Sequence, residues 1–196
     1  MLGAIRYALA NLANPAGRDA RQTFWYWVLT VVVLRFAASM ALSAPLTLKI
    51  MAAAMHAAQS GAAQDPAAMQ AMTTQLILAE LPKMVWGGVA IGLVSMALLA
   101  ASLVRRLHDS GLSGWLVPLP GAIYAFVLAR MPAQIGRVAD LLATLDPANP
   151  PNAGALLRAE GAMALLPYVS LLIAVYFGMR KSTPGPNRYG DAPVRF

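Results

Sequence analysis

Apolar residues in this chain gather into four long, nearly charge-free runs, separated by connectors that carry almost all of the charge. The runs cover 24–44, 86–104, 112–130 and 161–179. About 20 helical residues, rising 1.5 Å each, cross a hydrocarbon core of about 30 Å, so each run predicts a transmembrane helix. The first opens on Phe24-Trp25-Tyr26-Trp27, an aromatic belt of the kind found where a span meets the headgroups. The third is short and holds Pro118 and Pro120, which bend or break a helix. It either spans or folds as a re-entrant hairpin. The fourth contains Pro167.

The connectors have patterns of their own. In 1–16, Leu2, Ile5, Leu9 and Leu12 recur at helical spacing, which suits a helix lying in the interface. Residues 45–83 are rich in Ala and Met and turn about Ser60-Gly61. They predict helices near 46–59 and 66–81 as an outer hairpin, with Asp65 as N-cap and Pro66 as the first helical residue. In 131–160, Ile135, Val138, Leu141, Leu142 and Leu145 mark one helix face. Asp146-Pro147 and Asn149-Pro150-Pro151-Asn152 end it, and a new helix is expected from about Ala153. Pro and Gly keep the tail, 180–196, from forming a long helix. The fold class is therefore all-α: one polytopic membrane bundle over 1–196, with about four transmembrane helices and short interfacial and outer amphipathic helices.

Composition agrees. The 196 residues are 59% hydrophobic and 12% charged, against about 45–50% and about 25% in soluble domains. The formal charge is +7, and its placement matters more than its size. If both termini and the turn at Arg105 share one side, nine of the 15 Lys and Arg lie there, five lie opposite, and Arg35 falls inside the first span. The richer side is expected to be cytoplasmic. No basic stripe interleaved with aromatics suggests nucleic acid. The absence of cysteine excludes disulfides and thiolate chemistry. Residues 1–13 lack the long apolar region of a secretory signal.

Three polar signatures flank the runs. In Gly17-Arg18-Asp19-Ala20-Arg21-Gln22-Thr23-Phe24-Trp25, Arg18 and Arg21 stand three apart and are expected on one helical face, able to grip lipid phosphates or a carboxylate, or simply to anchor the span beside Trp25. In Arg105-Arg106-Leu107-His108-Asp109-Ser110-Gly111-Leu112-Ser113-Gly114-Trp115, two cations end a helix, where they suit its dipole. Asp109 can pair with either, Gly111 and Gly114 allow a tight reversal, and Trp115 anchors the next run. A hydrogen-bonded structural turn is the favoured reading over an acid–base or phosphate site at His108. In Thr183-Pro184-Gly185-Pro186-Asn187-Arg188-Tyr189-Gly190-Asp191-Ala192-Pro193, Arg188 and Tyr189 can fold back on that turn, with Asp109 or Asp191 as counter-charges.

In this order, GR-x-x-R-x-x-FW, RRLHD-x-G-x-SGW and PG-x-NRYG-x-x-P, the signatures resemble the bacterial inner-membrane family known as domain of unknown function 805. The resemblance implies a small helical inner-membrane protein and no particular activity. Carried onto this chain, it marks Gly17, Arg18, Arg21, Phe24 and Trp25; Arg105 to Asp109, Gly111, Gly114 and Trp115; and Gly185, Asn187 to Gly190 and Pro193. The long 45–83 connector and the 131–160 insertion depart from the family's compact pattern.

Arg35 is costly in mid-membrane, by about 2.5–3.5 kcal/mol on insertion scales. It either snorkels outward or lines a polar cleft with Ser95, Ser102 or Tyr124. Gly88 and Gly92 suit helix packing. Met51, Met55, Met69 and Met72 with His56 could bind a soft metal, but read better as apolar helix surface. No phosphate loop, paired intramembrane carboxylates or metal cluster is present, so no metal and no cofactor are expected. The expected cap, Arg18, Arg21, Trp25, Arg105, Arg106, His108, Asp109, Gly114, Trp115, Asn187, Arg188 and Tyr189, lies at the cytoplasmic face. The leading function is a non-enzymatic adaptor or assembly factor whose cap binds lipid headgroups or a membrane-protein partner. An enzyme acting on a phosphate-bearing lipid is the alternative, and a small transporter the third.

Overall fold

Helix is the sole regular structure among the described residues, apart from one isolated bridge between Asn187 and Gly190. A computed structural model describes residues 1–60, 65–143 and 161–193. The helices are α1 (Leu2–Ala10), α2 (Arg21–Ser60), α3 (Pro66–Asp109), α4 (Pro118–Arg130), α5 (Gln134–Ala143) and α6 (Leu166–Met179), with short 3₁₀ segments at Gly114–Leu116 and Gly161–Leu165. Two of these, α2 and α3, are long and apolar enough to cross a membrane. A third candidate arises if Gly114–Arg130 and Gln134–Asp140 count as one broken span. α6, at 14 residues, is shorter.

Several expectations change. The runs at 24–44 and 86–104 are not bounded helices joined to separate outer ones. α2 continues through Pro45 for 40 residues and α3 through Pro82 for 44. Each proline removes one ladder hydrogen bond, and the Ala-, Leu- and Met-rich flanks propagate the helix past it. Pro118 and Pro120 do not break the third run. They sit in the first turn of α4, where the missing N–H has no intrahelical partner anyway. Pro167 likewise lies at the start of α6. α1 stops at Ala10, and its inward face is Ala4 and Ala8 rather than Leu2 and Leu9, which are exposed. The expected N-cap holds: Asp65 Oδ1 accepts from Ala67 N at 3.0 Å and Ala68 N at 3.2 Å, ahead of Pro66. The expected helix from about Ala153 lies outside the described residues.

The chain divides into two compact units. The first comprises 1–36, 92–128 and 160–196. Its core packs Phe24 of α2 against Leu103 and Leu107 of α3 and Phe177 of α6. A second cluster seats Trp27 and Val31 against Ala8, with Ile5 and Leu12 at its edge. The Trp27 indole donates to Leu98 O at 2.9 Å. Small residues set the spacing here. A Cβ on Gly178 would lie 2.7 Å from the Phe24 ring, and one on Gly92 would lie 2.7 Å from Leu128. Gly88 faces open space, so the paired-glycine packing expected at 88 and 92 is made by Gly92 alone.

The second unit comprises 37–91 and 129–159. Gly87 admits the Leu42 side chain, and Lys49 and Lys83 both pair with Glu80.

Candidate functional site

The site is built where α3 ends. Leu112 N donates to Leu107 O at 2.9 Å and Gly111 N to His108 O at 3.0 Å. This is the Schellman pattern, which needs a left-handed residue after the cap. Gly111 supplies it at φ +73°. Leu112 packs back on the cluster containing Leu107, completing the motif's apolar contact. The ArgArgLeuHisAspSerGlyLeu sequence is thus a helix stop that holds His108 and Asp109 in its last turn.

Two chain segments close on that stop. Asp19 N donates to Arg105 O at 3.1 Å, and Thr183 N donates to Asp109 O at 2.8 Å. Around these backbone ties lie three guanidinium groups and two carboxylates, all buried. Arg18 donates to Asp109 Oδ1 through Nε at 3.2 Å and Nη2 at 2.9 Å. Its other hydrogen bonds reach the tail: the carbonyls Gly185 O at 2.6 Å, Thr183 O at 2.8 Å and Gly190 O at 3.4 Å, and the Thr183 hydroxyl at 3.2 Å. Arg106 pairs with Asp109 Oδ2 and donates to Gly178 O at 3.1 Å and to Arg180 O. Arg105 pairs with Asp19 Oδ1 at 2.8 Å and donates to Asn11 O, also at 2.8 Å, and to Asn14 O. Ser102 completes Asp19 by donating to Oδ2 at 2.7 Å, and Ser182 donates to Asp109 Oδ2. The cluster carries one net positive charge, three cations against two anions. Burial of such ions is tolerable because nearly every donor is spent on a carboxylate or a carbonyl.

The histidine is held from two sides. His108 Nδ1 lies 3.2 Å from Gly17 O, and its ring stacks on Tyr189 with centroids 3.9 Å apart and planes 6° from parallel. Burial lowers its pKa from 6.5, the Gly17 hydrogen bond opposes this, and nearby Arg188 lowers it further. Asn187 fixes the tail by donating to His108 O at 3.0 Å and Thr183 Oγ1 at 2.8 Å. Its own Oδ1 accepts from Tyr189 N at 2.9 Å, shaping the turn. Pro15, Ala16, His108, Ser113, Trp115 and Tyr189 border a groove of about 560 Å³.

Of the twelve residues expected in the cap, Arg18, Arg105, Arg106, His108, Asp109, Asn187 and Tyr189 are brought together. Trp25 lies beneath them, edge-on to Phe24 at 5.4 Å, and Gly114 sits against Val104. The others differ from expectation. Arg18 and Arg21 do not share a helix face, because α2 begins only at Arg21. Arg18 precedes it and turns inward, while Arg21 is exposed. Asp109 pairs with Arg106 and Arg18, not Arg105. Arg188 does not reach Asp109; it lies exposed, 4.7 Å from the Tyr189 ring centre. Trp115 is 87% exposed. Ser102 serves Asp19 rather than Arg35.

Sequence reading gave no role to Asp19 or Ser182, placed Ser102 beside Arg35, and named Thr183 only as the start of the third signature. Asp19 had a signal, since it lies between two arginines of a named signature. Thr183 had the same kind of signal, and Ser182, outside every signature, had none.

Among the described residues, no group of three or more His, Cys, Asp or Glu is arranged to hold a metal ion. Comparison with curated proteins and with solved structures returns no significant match. Residues 12–191 do match the family described as "Protein of unknown function (DUF805)", over a span that includes both carboxylates and all three buried arginines of the cap, and the chain therefore belongs to that family.

Proposed function

We propose that this protein is a non-enzymatic adaptor or assembly factor of the bacterial inner membrane, with both termini in the cytoplasm and a rigid cap that engages a partner protein. The observation that carries the reading is that the three buried arginines of the first two signatures spend their donors inside the cap. A clamp for lipid phosphate needs guanidinium donors turned outward, and Arg18, Arg105 and Arg106 are turned to carboxylates and carbonyls. What faces out is Trp115, together with the exposed Arg21 and Arg188. Trp and Arg are the residue types that most often anchor protein interfaces. The excess of Lys and Arg beside the cap supports the cytoplasmic side.

One observation favours the alternative, an enzyme acting on a phosphate-bearing lipid: His108 borders a groove. The two readings separate in one experiment. A photoreactive amino acid at position 115 of the full chain, activated in intact cells, is expected to give a discrete protein adduct that persists in His108→Gln. Adducts to lipid alone, with turnover of a phospholipid lost in His108→Ala, would overturn the adaptor and support the enzyme. Labelling of position 188 by an impermeant reagent from outside the cell would overturn the orientation.

A further inference from the structure

A second cavity in the first unit, of about 570 Å³, opens among α2, α3, α4 and α6. Its size is that of a small-molecule site. Leu99, Leu103 and Leu171 give it a mainly apolar wall, and Arg35 and Tyr124 stand at its polar end. Arg35 Nη1 donates to the Tyr124 hydroxyl at 2.6 Å, and the guanidinium carbon lies 5.8 Å from the ring centre.

Arg35 is exposed on the surface of α2, so with α2 taken to cross a membrane its remaining donors face lipid rather than water, an unusual state for a cation. A guanidinium has five N–H donors, and among the described residues Arg35 uses one, with no ion pair. The unit's buried carboxylates, Asp19 and Asp109, are taken by other arginines. The Tyr124 hydroxyl accepts from Arg35, which leaves its own proton to give. Two donors therefore converge on one end of an apolar cleft, and the described residues supply no anion there. Arg35 also lies deep, about 21 Å along α2 from Arg21 at 1.5 Å per residue. With α2 taken to enter the membrane at Arg21, that is below the level at which a bilayer phospholipid carries its phosphate.

We infer that the cleft binds a single-chain amphiphile with a carboxylate head, a long-chain fatty acid in chemical class. The carboxylate accepts from Arg35 and Tyr124, and the chain lies along the leucines. The cation selects an anion, the depth favours a small singly charged head that can be desolvated, and the volume suits one chain. The inference goes beyond the adaptor reading and rests on it only in taking α2 to cross the membrane.

The test is equilibrium binding of tritiated palmitate to the full chain in nanodiscs of phosphatidylcholine. Saturable binding at one per chain is expected. Hexadecanol, which lacks the charge, should compete at least ten-fold less well than unlabelled palmitate. Arg35→Met should weaken binding ten-fold or more and Tyr124→Phe several-fold. Gly121 lines the cleft, and a Cβ there would meet nothing within 4 Å, so Gly121→Leu should fill the space and block the chain. Removing a mid-span cation does not threaten insertion, so Arg35→Met remains a folded control, checked by its melting temperature. Equal binding by Arg35→Met, or equal competition by hexadecanol, overturns the inference. Preference for hexadecyl phosphate over palmitate overturns the carboxylate assignment. A chain that inserts and gives its protein adduct at position 115, yet binds no palmitate, sinks this inference and leaves the adaptor standing.

Discussion

Asp109 is the place to break the cap. Its side chain is fully buried and accepts from Arg18 twice, from Arg106 and from Ser182. Asp109→Asn keeps the shape but replaces one acceptor oxygen with an NH₂ that faces a guanidinium. Net charge in the cluster rises from one to two, with no solvent to absorb it. Removing one partner of a buried ion pair costs about 3–5 kcal/mol, because the other charge is left uncompensated. For a chain of this length each kcal/mol moves the melting temperature by about 2–4 °C, which puts the loss at about 6–20 °C. The assay is thermal unfolding of the full chain in mild detergent. The double variant Asp109→Asn with Arg18→Met supplies the internal control. It returns the cluster to one net charge, so its loss should fall short of the two single losses added together by about 0.5–3 kcal/mol. A melting temperature within about 2 °C of wild type for Asp109→Asn would refute a desolvated cluster at that scale. So would simple additivity in the double variant.

Gly114→Ala would place its Cβ 2.7 Å from Val104 Cγ1 and 3.1 Å from His108 Nε2. Overpacking of this kind costs about 1–3 kcal/mol, and Val104→Ala should restore much of the melting temperature; no rescue would mean the strain lies elsewhere. The lowered pKa of His108 means that the unfolded chain takes up a proton the folded one resists. Stability from this group is therefore complete above about 6.5 and declines as pH falls through the folded value. His108→Gln should flatten that part of a melting-temperature-against-pH curve, and an unchanged slope would assign it to another group. Trp115→Ala should alter stability by less than about 0.5 kcal/mol, because a side chain so exposed supports nothing beneath it; a large drop in melting temperature would show that it packs in the fold.

The helical class and the Asp65 cap were legible because each rests on local physics: apolar runs of sufficient length, and a carboxylate ahead of proline. Helix ends were less so. The first run is expected to end at 44 and the second to begin at 86, yet α2 runs on through Pro45 and Lys49 and α3 runs through Pro82 and Lys83. Glu80 explains part of this, since it pairs with both lysines within the second unit and so lets the polar stretch stay helical. That compensation joins residues 31 positions apart. A linear reading treats each as a separate interruption.

The cap teaches the same lesson more sharply. Seven of the twelve residues expected in it lie together, as charges and turn residues beside apolar runs gather at a boundary, and Asp19, Ser102 and Ser182 join them unexpected. Its pairing was not legible. Sequence spacing favours Asp109 with Arg105 or Arg106, one helical turn away, and half of that is wrong: Arg105 points across to Asp19, 86 positions distant. The direction of each arginine is set by where α3 stops. Gly111 ends the helix so that Arg106 and Asp109 face the tail, and Arg105, one residue earlier and about 100° around the helix, faces the segment that enters α2. Two adjacent cations thereby tie down two different strands of chain. The Arg-Arg pair is a fork rather than a doubled charge. For that reason Arg105→Lys and Arg106→Lys should both weaken the cap, since an ammonium cannot serve a carboxylate and two carbonyls in the fixed fork geometry that each site uses. Their effects should separate by location. Hydrogen exchange should quicken over 11–20 in the first variant and over 178–185 in the second, and the same pattern in both would defeat the assignment of one arginine to each segment.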